Sequence, residues 1–225
     1  MKSIKIAPSI LSADLLKLKE QIEIVEQNGA DLIHVDIMDG HFVPNITFGP
    51  VIVKTLKRIT KLPLDVHLMI SNPDNYAPHF IDAGGDYITI HQESSKDLKK
   101  SIQYVKDLKA KVGVSVNPST EISTILPVLS ELDLVLLMTV NPGFGAQKFI
   151  NSVTEKVKKI SDIKEKNGYS FLIEVDGGIN LNTVPTVVEA GAEVLVAGNA
   201  IFGQNDIANA CRELKKVAEE TVVKK

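Results

Sequence analysis

A (β/α)8 barrel, an α/β fold, is what the 225-residue sequence predicts, on three observations. Short β-branched runs alternate with helical patterns eight times, and the repeat averages about 28 residues. Strict alternation with short connections belongs to α/β domains. Eight such units match a closed barrel, whose usual size is ~250 residues. Runs such as VGVSV and LVLLMTV are apolar on both faces, which suits parallel strands covered by helices. An open doubly wound sheet is the alternative that the same alternation leaves.

In chain order the predicted strands are 4–11 (IKIAPSIL), 32–37 (LIHVDI), 64–69 (LDVHLM), 87–91 (YITIH), 111–116 (KVGVSV), 134–139 (LVLLMT), 171–175 (FLIEV) and 194–197 (VLVA). Helices are predicted between them over 13–28, 96–109, 153–166 and 206–222. Ser12 reads as the N-cap of the first helix and Asn28-Gly29 as its stop. No Pro/Gly/Ser-rich linker interrupts the chain, so residues 1–225 are expected to form one catalytic barrel domain.

Charge narrows the function classes. A net charge of −3, from 25 basic and 28 acidic residues that are interleaved, argues against a nucleic-acid or anionic-membrane surface. Only Arg58 and Arg212 are arginines, so a phosphate would not be held by an arginine cluster. The Lys-rich stretch 96–109 and the tail Lys224-Lys225 read as solvated. No apolar run reaches the ~18 residues of a membrane span. The start of the chain lacks the pattern of a signal peptide. The lone Cys211, in a helical pattern, has no disulfide partner in the chain. These features predict a cytoplasmic protein.

The chemistry lies at the strand ends. Nearly every predicted strand finishes in residues that a core would not choose, and in a barrel that end carries the active site. The first strand carries Ser9, and the second ends HVDIMDGH (34–41). His67 and Met69 end the third, and His91 ends the fourth. Asn117-Pro118, Met138, Glu174-Val175-Asp176 and Gly198-Asn199 close the remaining four. Side chains alternate with period 2, so His34, Asp36 and Met38 share one face, as do His67 and Met69. If these faces point inward, His34, Asp36, His67 and Asp176 converge. Two imidazoles and two carboxylates suit one divalent metal ion of the first row, Zn, Mn, Fe or Co. Met38, Met69 and Met138 are either gap-filling core or an apolar layer beside a developing anion.

Glycines mark an anion cradle. Gly143-Phe144-Gly145-Ala146, Gly177-Gly178 and Gly198-Asn199 follow strands six, seven and eight. Barrels often bind phosphate through backbone N–H groups there. The P-loop, His-Glu-x-x-His, Gly-x-Gly-x-x-Gly and Gly-x-Ser-x-Gly signatures do not occur.

The segments APSILSAD (7–14), HVDIMDGHFVPNITFGP (34–50), DVHLMI (65–70), MTVNPGFG (138–145), VDGGIN (175–180) and VAGNAIF (196–202) resemble the ribulose-phosphate 3-epimerase family along the whole length. The resemblance implies a metal-dependent isomerase of the pentose phosphate pathway that interconverts D-ribulose 5-phosphate and D-xylulose 5-phosphate. It makes His34, Asp36, His67 and Asp176 the metal ligands, and Asp36 and Asp176 the acid/base pair. It places Ser9 and His67 on the substrate, with the three glycine loops on its phosphate, and it implies a homo-oligomer. Two positions depart from the family pattern: Ala146 stands where a second glycine is common, and Asn199 where a serine is common. Backbone amides survive both changes. The chemistry agrees: inverting a carbon beside a ketone needs a proton removed from one face and another delivered to the opposite face. A metal stabilises the cis-enediolate between these steps. A ketohexose 6-phosphate epimerase acting on, for example, allulose 6-phosphate, and a non-catalytic phosphosugar-binding barrel are the alternatives. A decarboxylase of similar fold would show Asp-x-Lys-x-x-Asp at a strand end, which is absent.

Overall fold

Eight strands form one sheet, and each neighbouring pair in it is parallel. The computed structural model describes residues 4–223, so the expectations for Lys224-Lys225 and for the extreme ends of the domain lie outside it. The strands are β1 (Lys5–Pro8), β2 (Ile33–Met38), β3 (Leu64–Met69), β4 (Tyr87–His91), β5 (Lys111–Val116), β6 (Leu134–Met138), β7 (Leu172–Asp176) and β8 (Val194–Ala197). Their order is β1-β8-β7-β6-β5-β4-β3-β2. An isolated parallel bridge between Ser9 and His34 brings the two edges together and closes the barrel.

The helices are α1 (Leu18–Gln27), α2 (Pro50–Ile59), α3 (Pro73–Asp82), α4 (Leu98–Asp107), α5 (Val153–Asn167), α6 (Val184–Ala190), the single turn α7 (Asn199–Phe202) and α8 (Ile207–Val223). Between them and the sheet lies the main apolar layer, including Ile6, Ile22, Leu56, Val66, Val114 and Ile173, all fully buried. Inside the barrel a smaller cluster of Ala7, Leu134, Leu136, Met138, Val194 and Val196 fills the side formed by β6, β8 and β1. Opposite it, on β2 to β5, the interior is polar, with His34, Asp65, His67, Thr89, His91 and Ser115 all buried, and buried Glu174 on β7 extends this polar lining beside the apolar cluster. Strand register explains the division. Asp36 pairs with His67, His67 with Thr89, Thr89 with Gly113, and Met138 with Asp176, so paired residues share a face. Gly113 has a packing reason, since a Cβ there would sit 2.2 Å from Thr89 Oγ1.

The sequence-predicted ends shift in places. β1 stops at Pro8 rather than at residue 11, because residues 10–12 turn into a 3-10 helix capped by the Ser9 side chain. Ser12 is therefore not the N-cap of the first helix. Asp14 accepts from the Leu16 N–H and opens a 3-10 turn that leads into α1. Asn28 does end α1, with Gly29 following at φ +104°. The fifth connection carries two 3-10 segments (Ile122–Thr124 and Leu126–Glu131) in place of an α-helix. Pro127 removes a backbone donor at the start of the second.

Candidate active site

The floor of the barrel mouth is built by β2, β3 and β7. His34, Asp36, His67 and Asp176 each offer one ligand atom, and these atoms lie within 4.8 Å of one another. Asp36 is the hub. Its Oδ1 is 3.2 Å from His34 Nε2 and 3.2 Å from His67 Nδ1, while its Oδ2 accepts from Ser9 Oγ at 2.6 Å. Asp176 Oδ2 stands 3.8 Å from His67 Nδ1. Period-2 alternation has turned all four side chains to one face, as the sequence predicts. Imidazole nitrogens and carboxylate oxygens in this proximity are the donor set of a first-row divalent cation, so the residues present fit such an ion.

Environment divides the two carboxylates. Burial works to raise the Asp36 pKa, but His34 and His67 beside it hold the carboxyl well below the usual range. Burial, reinforced by the charge of Asp36, pushes Asp176 up to about 7. Burial lowers the His67 imidazole to about 4. At His34 burial opposes protonation, yet Asp36 and Asp65 prevail and raise its pKa well above the ordinary value.

A second tier of buried groups supports the floor, and sequence reasoning assigned it no role. His34 Nδ1 is 2.6 Å from Asp65 Oδ2, and Glu174 Oε1 is 3.8 Å from the same nitrogen. Burial, followed by the Asp65 charge, pushes the Glu174 carboxyl well above its ordinary value. On the other flank His67 Nε2 meets His91 Nε2 at 2.8 Å, and His91 Nδ1 meets Glu93 Oε2 at 3.0 Å. The signal for Asp65 and Glu174 was present: they precede His67 and Asp176 by two residues and so share their faces.

Above the floor opens a cavity of about 750 Å³. Ser9, Asp36, Asp176 and the three methionines line it, together with Gly143, Phe144, Gly145, Ala146, Gly177, Gly178, Gly198 and Asn199. Met38 and Met69 pack with Val43, whereas Met138 belongs to the apolar cluster inside the barrel. His34 and His67 are fully buried beneath the cavity. Ser12, Asn180, Asn182 and Gln204 also line it and were missed, because a polar loop residue carries no periodic signal.

The rim is braced by loops. Asp39 Oδ2 accepts from the Ser71 N–H (2.8 Å) and hydroxyl (2.5 Å), and its Oδ1 accepts from the N–H groups of His41 and Phe42 (both 2.9 Å). Against the cost of burial these bonds hold the Asp39 carboxyl well below its ordinary value. Asn45 Nδ2 donates to Gly143 O at 2.9 Å and so ties the β2 loop to the β6 loop. In the glycine loops, Gly178 takes φ +66°, and a Cβ there would meet Phe149 N at 2.6 Å. Ala146 also adopts a left-handed conformation, at φ 57°. The backbone shape that a glycine would give is therefore kept despite the methyl group.

The profile described as the ribulose-phosphate 3 epimerase family matches residues 5–202. The ribulose-phosphate 3-epimerase of Bacillus subtilis (strain 168) is 54% identical over 213 residues, covering 94% of this chain and 98% of that protein. The enzyme of the same name from Methanocaldococcus jannaschii is 47% identical over 221 residues, covering 98% and 94%. In fold the chain is similar to KGPDC from Streptococcus mutans, with a TM-score of 0.75 at 14% identity over 97% of this chain and 98% of that one.

Proposed function

Because the chain belongs to the ribulose-phosphate 3-epimerase family, we propose that its mouth interconverts D-ribulose 5-phosphate and D-xylulose 5-phosphate, with Asp36 and Asp176 as the two acid/base groups. The observation that carries this reading is the convergence of His34, Asp36, His67 and Asp176 under a cavity lined by both carboxylates.

Inversion at C3 needs one group to take a proton from one face and another to supply a proton to the opposite face. Asp36, held ionised chiefly by His34 beside it, suits the base. Its second oxygen is fixed by Ser9, which sets the direction of attack. Asp176, with a pKa raised to about 7 by burial, suits a group that both gives and takes a proton near neutral pH. In the reverse direction the roles exchange. Met38, Met69 and Met138 give the cavity an apolar surface against the flat enediolate of the sugar, which limits access of water. The loops at 143–146, 177–178 and 198–199 receive the phosphate by backbone N–H groups. A divalent cation of the Zn, Mn, Fe or Co type, held by His34, Asp36, His67 and Asp176, supplies Lewis-acid stabilisation of the negative charge that develops on the substrate.

The proposal extends to the setting of the enzyme. It is one catalytic domain, it forms a homo-oligomer, and it is cytoplasmic. Exposed Leu16, Ile46 and Val51 support self-association, and a monomer in solution scattering would contradict it. Cys211, buried and free, with its thiol pushed up to about 11 by burial, fits a reducing compartment. Among the described residues no helix is long and apolar enough to cross a membrane.

Epimerisation in heavy water tests the two-base assignment. Deuterium is expected at C3 of the product, since a carboxyl proton exchanges with solvent before delivery. Asp176→Asn is expected to lower net epimerisation by about 10²–10⁴-fold while Asp36 still exchanges the C3 proton of ribulose 5-phosphate, with metal content measured alongside. Product that retains its original C3 hydrogen would sink the two-base reading. A higher kcat/KM on a ketohexose 6-phosphate would move the substrate class.

A further inference from the structure

Outside the proposed ligands and the acid/base pair, a line of polar contacts leads from the floor through β4. His91 is fully buried. Its ring stacks on that of His67 at 5.0 Å and 24°, and Phe42 covers it at 4.8 Å. Its Nε2 is 2.8 Å from His67 Nε2, and its Nδ1 is 3.0 Å from Glu93 Oε2. Glu93 is anchored in turn, since its Oε1 accepts from the Asn117 N–H at 2.7 Å and from the Thr120 hydroxyl.

We propose that His91 and Glu93 are positioning residues that fix His67 as a ligand through Nδ1, an inference that rests on the metal reading given above. Proton counting carries it. An ionised carboxylate only accepts hydrogen bonds, so His91 must place its proton on Nδ1, facing Glu93. A His91 whose proton sits on Nδ1 offers Nε2 as the acceptor, and His67 then supplies the proton between the two rings from its own Nε2. This arrangement satisfies both ring contacts of His91 and leaves the Nδ1 lone pair of His67 facing Asp36 Oδ1 (3.2 Å) and Asp176 Oδ2 (3.8 Å). A lone pair facing two carboxylates is stabilised by a cation between them. His34 also has an outer carboxylate partner, its Nδ1 lying directly against Asp65 Oδ2 at 2.6 Å. Outer partners of this kind set tautomer, ring direction and ligand basicity, and losing one typically costs 10–100-fold in metal affinity.

Zn(II) affinity of the full chain, measured by competition with a chromophoric chelator, is the first readout. His91→Asn, which lacks an acceptor where Nε2 stands, is expected to weaken binding by about 10–100-fold. His91→Gln, whose amide oxygen reaches that position, is expected to restore most of the loss, which a merely space-filling role would not require. Glu93→Ala is expected to weaken binding by on the order of 10-fold. The second readout needs no variant fold. In the Zn-loaded native chain, long-range ¹H–¹⁵N spectra are expected to show His91 protonated on Nδ1 and His67 on Nε2. If the native chain binds no Zn(II), the metal reading itself fails. If it binds Zn(II), then affinities within twofold in both His91→Asn and Glu93→Ala, or a His91 protonated on Nε2, would overturn this inference alone. Should His91→Asn not fold, Glu93→Ala and the native spectrum decide.

Discussion

Strands β2, β3 and β7 present imidazole and carboxylate side chains to the mouth, whereas the loops after β6, β7 and β8 present glycine-rich backbone. On the strand side Asp36, His34 and His67 are held twice over. Register fixes the Cα positions of Asp36 and His67 opposite each other, and Ser9, Asp65 and His91 then fix the side chains. On the loop side positioning comes from backbone shape, through the positive φ of Gly143, Ala146, Gly177 and Gly178. The difference teaches where each half is vulnerable. The strand side fails when an atom type changes, even at constant size. The loop side is expected to fail where an added Cβ meets backbone, as at Gly178, yet to tolerate the loss of a neighbouring side chain.

Removing the cation probes the strand side and has the largest expected effect. Prolonged chelation should abolish epimerisation, and Zn, Mn, Fe or Co should restore it, because the ligands must be deprotonated and filled to act together. Full turnover in verified metal-free protein would remove the contrast between the halves, since the side chains would then have no ion to organise.

The loop side is probed by Gly178→Asp. Its Cβ would stand 2.6 Å from Phe149 N in a left-handed backbone, and its charge would stand at the proposed phosphate site. Losing hydrogen bonds to a charged group costs about 1.5–3 kcal/mol each, so KM should rise by roughly 10–100-fold at modest change in kcat. Arg212→Ala should leave KM unchanged, because the guanidinium binds Asn28 at the end of α1 and does not line the cavity. A large KM rise in a folded Arg212→Ala would show that side-chain charge, not backbone, holds the anion.

The smallest effect is expected at the rim that joins the halves. Asp39 has a folded pKa below its unfolded value. Its stabilisation is therefore present above the unfolded pKa of about 3.9 and is lost as pH falls through the folded pKa. Asp39→Ala should lower the urea midpoint at pH 7, and the gap from the native chain should shrink steadily below about pH 4. A gap independent of pH would show that Asp39 acts by packing alone.

How much of this was legible follows the same division. Period-2 alternation names a face, so HVDIM put His34 and Asp36 on one face and DVHLM put His67 and Met69 on another, and the barrel brings the two together because both point inward. The same rule pointed to Asp65 and Glu174, but a charged residue deep in a barrel gains meaning only once its contact with a ligand is seen. His91 was visible as a strand-end polar residue, yet its tie to His67 depends on ring orientation. Ser12 failed as a cap because Ser9, Ser12 and Asp14 compete within six residues, and backbone turning at residue 10 favoured the outer two. In the loops a glycine reports freedom of φ without saying where the neighbouring N–H groups point. The fold was readable, and so was the strand half of the site. The loop half was readable only as composition.

The bridge between Ser9 and His34 has a consequence in time. β1 is held mainly by its four-residue ladder with β8, so its principal partner lies about 190 residues further along the chain. At ~5–20 residues per second of synthesis, roughly 10–40 s pass before that partner exists. Until then Ser9 has no fixed place from which to hold Asp36, and for most of the interval Asp176 has not been made either. A growing chain therefore carries His34 and His67 long before the four-residue cluster is complete, and the mouth comes into being only as the last strand closes the ring.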